Sequence, residues 1–273
     1  MSGVRSQESG ARRQKAAVAL LLCVSASLRL VAQDLFVDFS DVAAGTADIY
    51  ITEGPSANIY NNTWRYSQKD RIVYLNNTGA PSNPQLVNIF NNSFIITYSP
   101  AVNMDGPGYN NSTINVKNNI FYDTQTGSGN NFCVYFNTTN LMLGLRFDYN
   151  HYYGFNTGGK YWGGTFGELN VTQMRAIGYE TNGASGDPLY VALSSASAPL
   201  AADLALQITS PCRDVGTNLS TYFTTDKNSI TRPQGSAWDI GAYEYQAGGG
   251  STTYRGFSFG SGVKLIGAGS VRQ

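Results

Sequence analysis

The residues in this sequence most able to do chemistry lie between positions 146 and 160. His151 is the single histidine of the chain, and Arg146, Asp148, Tyr152, Tyr153 and Lys160 surround it. A general base, a cation and aromatic stacking surfaces within fifteen residues would make a credible site. The same stretch also has a bland reading. His151 falls in a slot of an internal repeat that elsewhere holds Thr63, Ser93 and Ile120, and there it is only a turn residue. Asp105 in "NMDGPG" and Asp123 in "FYDTQTG" offer hard oxygen ligands, but one acid per loop falls short of a calcium cage. Asp187, Asp214 and Asp239 read as backbone caps. There is no CxxC and no histidine cluster, so no metal site is expected.

The repeat sets where these residues go. Four segments align: "NIYNNTW" (58–64), "NIFNNSF" (88–94), "NVKNNIF" (115–121) and "RFDYNHY" (146–152), offset by 30, 27 and 31 residues. The second slot is apolar (Ile59, Ile89, Val116, Phe147), the fifth is Asn (Asn62, Asn92, Asn119, Asn150) and the seventh is aromatic (Trp64, Phe94, Phe121, Tyr152). Further β-rich runs, "RIVYLNN", "SFIITYS" and "NFCVYFN", lie between them, separated by loops such as "TGAPSNP" and "MDGPGY". A unit of this length cannot bury its own apolar face, whereas stacked units form a continuous core with strands in parallel along the axis. The expected fold is therefore an all-β solenoid of about four or more coils. Equivalent residues then stack at about 4.8 Å, so the fifth-slot asparagines Asn62, Asn92, Asn119 and Asn150 should form a hydrogen-bonded ladder at a bend. The fourth slot (Asn61, Asn91, Asn118) changes to Tyr149 in the last copy, which makes it the weaker ladder candidate.

Composition narrows the partners. Charged residues are only 13% of the chain, with 18 Lys+Arg against 18 Asp+Glu, which argues against nucleic acid. Arg5, Arg12, Arg13 and Lys15 precede the apolar run "AAVALLLCVSASL" (16–28), which is too short for a membrane span and suits a secretory signal over residues 1–32, cut after Ala26 or Ala32. If residues 1–26 leave, four positive charges and one negative go with them, and 18 against 18 becomes 14 against 17. A secreted or cell-surface monomer without a transmembrane segment is expected. Of the remaining cysteines, Cys133 and Cys212 read as free and structural.

The closing sequence carries a resemblance. "FDYNHYYGF" (147–155), "GDPLYV" (186–191), "LQITSPCRDVGTNL" (206–219) and "RPQGSAWDIGAYEY" (232–245) resemble the last coils of secreted right-handed parallel β-helix proteins of the pectate-lyase-like superfamily, over roughly residues 50–245. The resemblance implies a right-handed helix over residues 33–245 and a polysaccharide as partner. It says little about activity, because these motifs close the helix. Uronan lyases on this fold, the resemblance further implies, neutralise the sugar carboxylate with calcium or amides while a basic residue takes the neighbouring proton. Calcium is thus the one cofactor it admits. The departure is at the front, where residues 33–57 show little that reads as an N-terminal cap.

The remaining segments complete the expected architecture. "TFGELNVTQMRAIGYE" (165–180) is the one helical stretch, with Thr165 and Glu168 at capping-box spacing and Asn170 as a second cap candidate. "AWDIGAYEY" (237–245) alternates like a strand that caps the stack. Residues 246–273 read as a Gly/Ser-rich linker or disordered end. Eight Asn-x-Ser/Thr sequons, beginning at Asn61, Asn76, Asn91, Asn110, Asn111, Asn137, Asn170 and Asn218, read as structure. Two functions stand. One is a glycan-binding, adhesive or stalk module with Tyr152 and Tyr153 as stacking surfaces. The other is a polysaccharide lyase or hydrolase acting along the outer groove through His151, Arg146, Asp148 and Lys160.

Overall fold

The computed structural model of the chain describes residues 30–33, 36–38, 49–51, 57–65, 72–76, 86–96, 100–105, 112–124, 132–137, 144–154, 159–193 and 201–247. The apolar run of the expected signal and the tail from residue 248 onward lie outside them, as do the loops "TGAPSNP" and "GPGY".

Strands that recur along the sequence fall into three parallel sheets. The first joins β1 (Leu30–Gln33), β4 (Ala57–Tyr60), β7 (Leu86–Phe90), β10 (Thr113–Lys117) and β13 (Leu145–Asp148). The second joins β2 (Phe36–Asp38), β5 (Thr63–Arg65), β8 (Ser93–Ile96), β11 (Ile120–Asp123), β14 (His151–Gly154) and β16 (Ala184–Ser185). The third joins β3 (Ile49–Ile51), β6 (Val73–Asn76), β9 (Val102–Asp105), β12 (Val134–Asn137) and β15 (Trp162–Gly164). Each turn of the chain adds one strand to each sheet, the arrangement of a β-solenoid. Strands β1, β2 and β3 precede the first repeat visible in the sequence. β1 lies astride the expected cut at Ala32 and pairs Ala32 with Ile59.

Register follows the slots. Ile59, Ile89, Val116 and Phe147 stand one above another in the first sheet, and all are buried. The seventh-slot rings stack inside the second sheet, with centroids 6.4 Å apart for Trp64 and Phe94, 5.2 Å for Phe94 and Phe121 and 5.1 Å for Phe121 and Tyr152. Each such pair contributes about 0.5–1.5 kcal/mol beyond the area it buries.

The corner between the first and second sheets explains why asparagines belong inside the stack. Asn61, Asn91, Asn118 and Tyr149 take the left-handed conformation, at φ 57°, 48°, 57° and 59°, which Asn adopts more readily than most residues. The next residue turns inward. Asn92 Oδ1 accepts from Asn62 N at 3.0 Å and Asn62 Nδ2 at 3.1 Å, while Asn92 Nδ2 donates to Ile59 O and Asn119 Oδ1, both at 3.0 Å. Asn119 repeats the pattern onto Asn150. Every hydrogen and lone pair of the Asn92 amide is thus used, which removes the penalty for burying it.

Beyond the stack, two expectations are corrected. The helix α1 is shorter, Val171–Ala176, and Asn170 is its cap, forming a capping box with Gln173. Thr165 instead hydrogen-bonds Phe136 O through its side chain, so the cap falls to the second candidate. Residues 237–245 are not a strand, because their amides go to carboxylates, to Ser93 Oγ and to the scattered carbonyls of Cys212 and Asn118 rather than along a neighbouring strand. Asp239 N donates to Glu244 Oε1, Tyr245 N to Asp239 Oδ2 and Glu244 N to Asp226 Oδ2. This segment wraps a flank rather than capping an end. Ile240, Ala242 and Tyr243 join Tyr190, Leu206 and Cys212 over Ile95 and Ile120 on the outer face of the second sheet. Leu219, Phe223 and Trp238 cover Tyr60 and Phe90. Arg232 and Glu244, both buried, form an ion pair at 2.6 Å that ties the wrap together, and Arg232 also reaches Asn61 Oδ1. Cys133 and Cys212 are free and buried. Among the described residues no helix is long and apolar enough to cross a membrane.

Candidate functional site

Strands β10 and β13 alternate in burial. Ile114, Val116, Leu145 and Phe147 turn into the core, so Asn115, Lys117, Arg146 and Asp148 must face outward. In register, Arg146 lies across from Asn115 and Asp148 across from Lys117. The two cations are therefore diagonal neighbours, roughly 7–8 Å apart at the backbone. They line a cleft of about 400 Å³ whose other walls are Leu145, Phe147, Asp148, Ile177, Gly178, Tyr179 and Thr181.

The cleft exists because the first sheet stops at β13 while the second continues to β16. Where the next strand of the first sheet would lie, the chain leaves α1 and turns. Glu180 N donates to Phe147 O at 2.9 Å and pins that turn to the edge of β13. Glu180, with φ 50°, sits one repeat step beyond Tyr149, and its carboxylate continues the ladder in place of an amide. It accepts from Asn150 N at 3.2 Å, Asn150 Nδ2 at 2.7 Å and Tyr152 OH at 2.7 Å. Burial pushes this carboxyl up from 4.5 to about 7 against the pull of those three donors.

The expected site residues separate. Arg146 is exposed and donates to Leu145 O at 2.8 Å, and Asp148 accepts from Asn182 N at 2.7 Å and Asn182 Nδ2 at 3.0 Å; both line the cleft. Lys160 is elsewhere, donating to Gln173 Oε1 at 2.9 Å. His151 is 1% exposed, on the outer face of β14 beneath the wrap, where Nε2 meets Gly186 O at 2.8 Å. Burial lowers its pKa below the usual histidine value, so it stays neutral around pH 7. A polymer cannot reach it in this conformation.

The aromatic pair separates too. Tyr152 is fully buried in the ring stack and bonded to Glu180, while Tyr153 is half-buried beside Tyr122, with centroids 5.0 Å apart. Asp187, Asp214 and Asp239 accept backbone N–H groups. Of the sequons, Asn61 and Asn91 are buried with their amides engaged, whereas Asn137 and Asn218 are exposed.

Lys117, Tyr179 and Glu180 escaped the sequence reading. The signal for Glu180 was the repeat step itself, since the residue lies 30 positions after Asn150. Lys117 was visible as the third slot of the third copy, but it gains meaning only once β10 and β13 are adjacent. Burial pushes the Tyr179 phenol up, against the opposing pull of Arg146. Calcium finds one carboxylate in this cleft, already held by Asn182, and among the described residues no three His, Cys, Asp or Glu side chains could hold a metal ion. That donor set does not fit a calcium site of six to eight oxygens. Comparison with protein-family models, with curated proteins and with solved structures finds no match to this chain.

Proposed function

We propose that the chain is an exported, monomeric, right-handed parallel β-helix of the pectate-lyase-like kind that binds an acidic polysaccharide without cleaving it. The observation that carries this reading is the pair Lys117 and Arg146 facing one cleft from adjacent strands. Two cations against one engaged carboxylate favour an anionic group, and a sugar carboxylate accepts hydrogen bonds from guanidinium and ammonium together. The absence of cleavage is argued from the groups in the cleft. Burial pushes the Tyr179 phenol up, so it is not poised to take a proton near pH 7, and the oxygens of Asp148 are engaged by Asn182.

Isothermal titration with oligogalacturonate and with a neutral oligosaccharide tests it. Binding of the acidic ligand alone, weakened at least about tenfold in Arg146→Ala, is expected, since a charged hydrogen bond contributes about 1.5–3 kcal/mol. Equal binding of both ligands, or none, overturns it. A lyase reading draws on one observation, the Tyr179 phenol within the field of Arg146 in the same cleft. Ultraviolet-absorbing unsaturated product, abolished in Tyr179→Phe, would move the function there.

A further inference from the structure

We propose that the cleft holds the end of an acidic glycan chain rather than a stretch of its interior. This inference rests on the acidic-glycan reading above. Seating the interior of a polymer needs an open face across several coils, and among the described residues the chain covers its own second sheet and the corner that joins it to the first. On the second sheet, Ala242 N donates to Ser93 Oγ at 3.1 Å and His151 lies under Gly186. Gly241 fits so closely that a Cβ there would come within 2.6 Å of Ile120 Cδ1. At the corner, Asn91 donates to Asp239 O and Gly241 O, and Asn118 to Thr217 O.

The third slot of the repeat shows where the cover stops. Tyr60 and Phe90 are 7% and 2% exposed beneath Phe223, Tyr222 and Trp238. The next two residues in that column, Lys117 and Asp148, are only half-buried and line the cleft. In the first-slot column Asn58 is half-buried and Asn88 only 1% exposed, and beyond Asn88 the column opens through half-buried Asn115 to exposed Arg146.

At the other end, the turn at residues 177–181 stands where a further strand would continue the face, held by the bond from Glu180 N to Phe147 O. A glycan lying along the axis is therefore stopped by the wrap at one side and by this turn at the other. The cleft beside this turn, about 400 Å³, is at the small end of the roughly 300–1,000 Å³ that small-molecule sites span. It admits a terminal sugar with its carboxylate between Lys117 and Arg146.

Titration of the full chain with galacturonate oligomers, from dimer to dodecamer, and with the long polymer reads this directly. The expected result is one protein bound per glycan chain at every length, with a dissociation constant per chain that stays flat as the chain grows. Modifying one terminus, either by reductive opening of the reducing-end ring or by removing a hydroxyl at the opposite terminus, should abolish binding. Arg146→Ala and Lys117→Ala, both on the outer face, should weaken it while leaving the melting temperature unchanged. Several proteins per chain, rising in number with length, or binding that survives both terminal modifications, overturns end recognition and leaves the acidic-glycan reading intact. No binding at any length overturns both.

Discussion

Glu180→Gln tests whether the ladder ends on an acid whose charge costs stability. The folded value of Glu180, about 7, lies above its value of 4.5 in the unfolded chain, so the folded state holds the proton more tightly. Below pH 4.5 both states are protonated and the group is neutral to stability. Between pH 4.5 and 7 the unfolded chain ionises while the folded one does not, and stability falls by about 1.4 kcal/mol per pH unit from this group alone. Above pH 7 the loss levels off near about 3 kcal/mol. The glutamine has no such titration. Its amide must turn an NH₂ toward Asn150 N, which now donates to Oε2, and that mismatch costs about 1–3 kcal/mol at every pH. The offset does not change with pH, so the slope is the diagnostic. Urea unfolding of both proteins across this window should show the variant gaining about 3 kcal/mol on the wild type from the acid end to the alkaline end. Asp239, raised to about 6, and Asp226, pushed up by burial, lie in the wrap, and they should cancel in the difference. A difference between the two proteins that is flat with pH would refute the argument.

Asn92→Leu removes the four hydrogen bonds of a buried amide, those with Asn62 N, Asn62 Nδ2, Ile59 O and Asn119 Oδ1, so a loss of about 3 kcal/mol or more is expected by denaturant unfolding. Asn228→Leu, at an exposed turn, should change stability by less than about 0.5 kcal/mol, and equal effects would remove the ladder argument. Export is expected to cut after Ala26 and not after Ala32, because the later cut would remove Leu30, Val31 and Ala32 from a strand that pairs with Ala57, Asn58 and Ile59. Mass spectrometry of the secreted protein should find Ser27 at its start, and Gln33 there would count against β1.

Much of the architecture was written in the repeat. An apolar second slot, Asn at the fifth and an aromatic ring at the seventh, recurring over four copies, carried the parallel stack, the ladder through Asn62, Asn92, Asn119 and Asn150, and the ring column from Trp64 to Tyr152. These are properties of one residue meeting its own equivalent a coil away, and a period in the sequence encodes that meeting directly. The fate of His151 was not legible in the same way. It depends on a segment near residue 186, and on residues 204–243 covering the neighbouring Ser93 and Ile120, and no period links those positions. The cleft was equally hidden. Lys117, Arg146 and Tyr179 lie about one coil apart in sequence and become neighbours only because parallel pairing sets β10 beside β13 and the chain declines to add another strand after it. The sequence alone determined what each coil does to the next, because that is set by local spacing and side-chain chemistry. The tertiary structure decided which outer face stays open to solvent, because that depends on where a non-repeating segment finds enough apolar surface and enough amide partners to lie down.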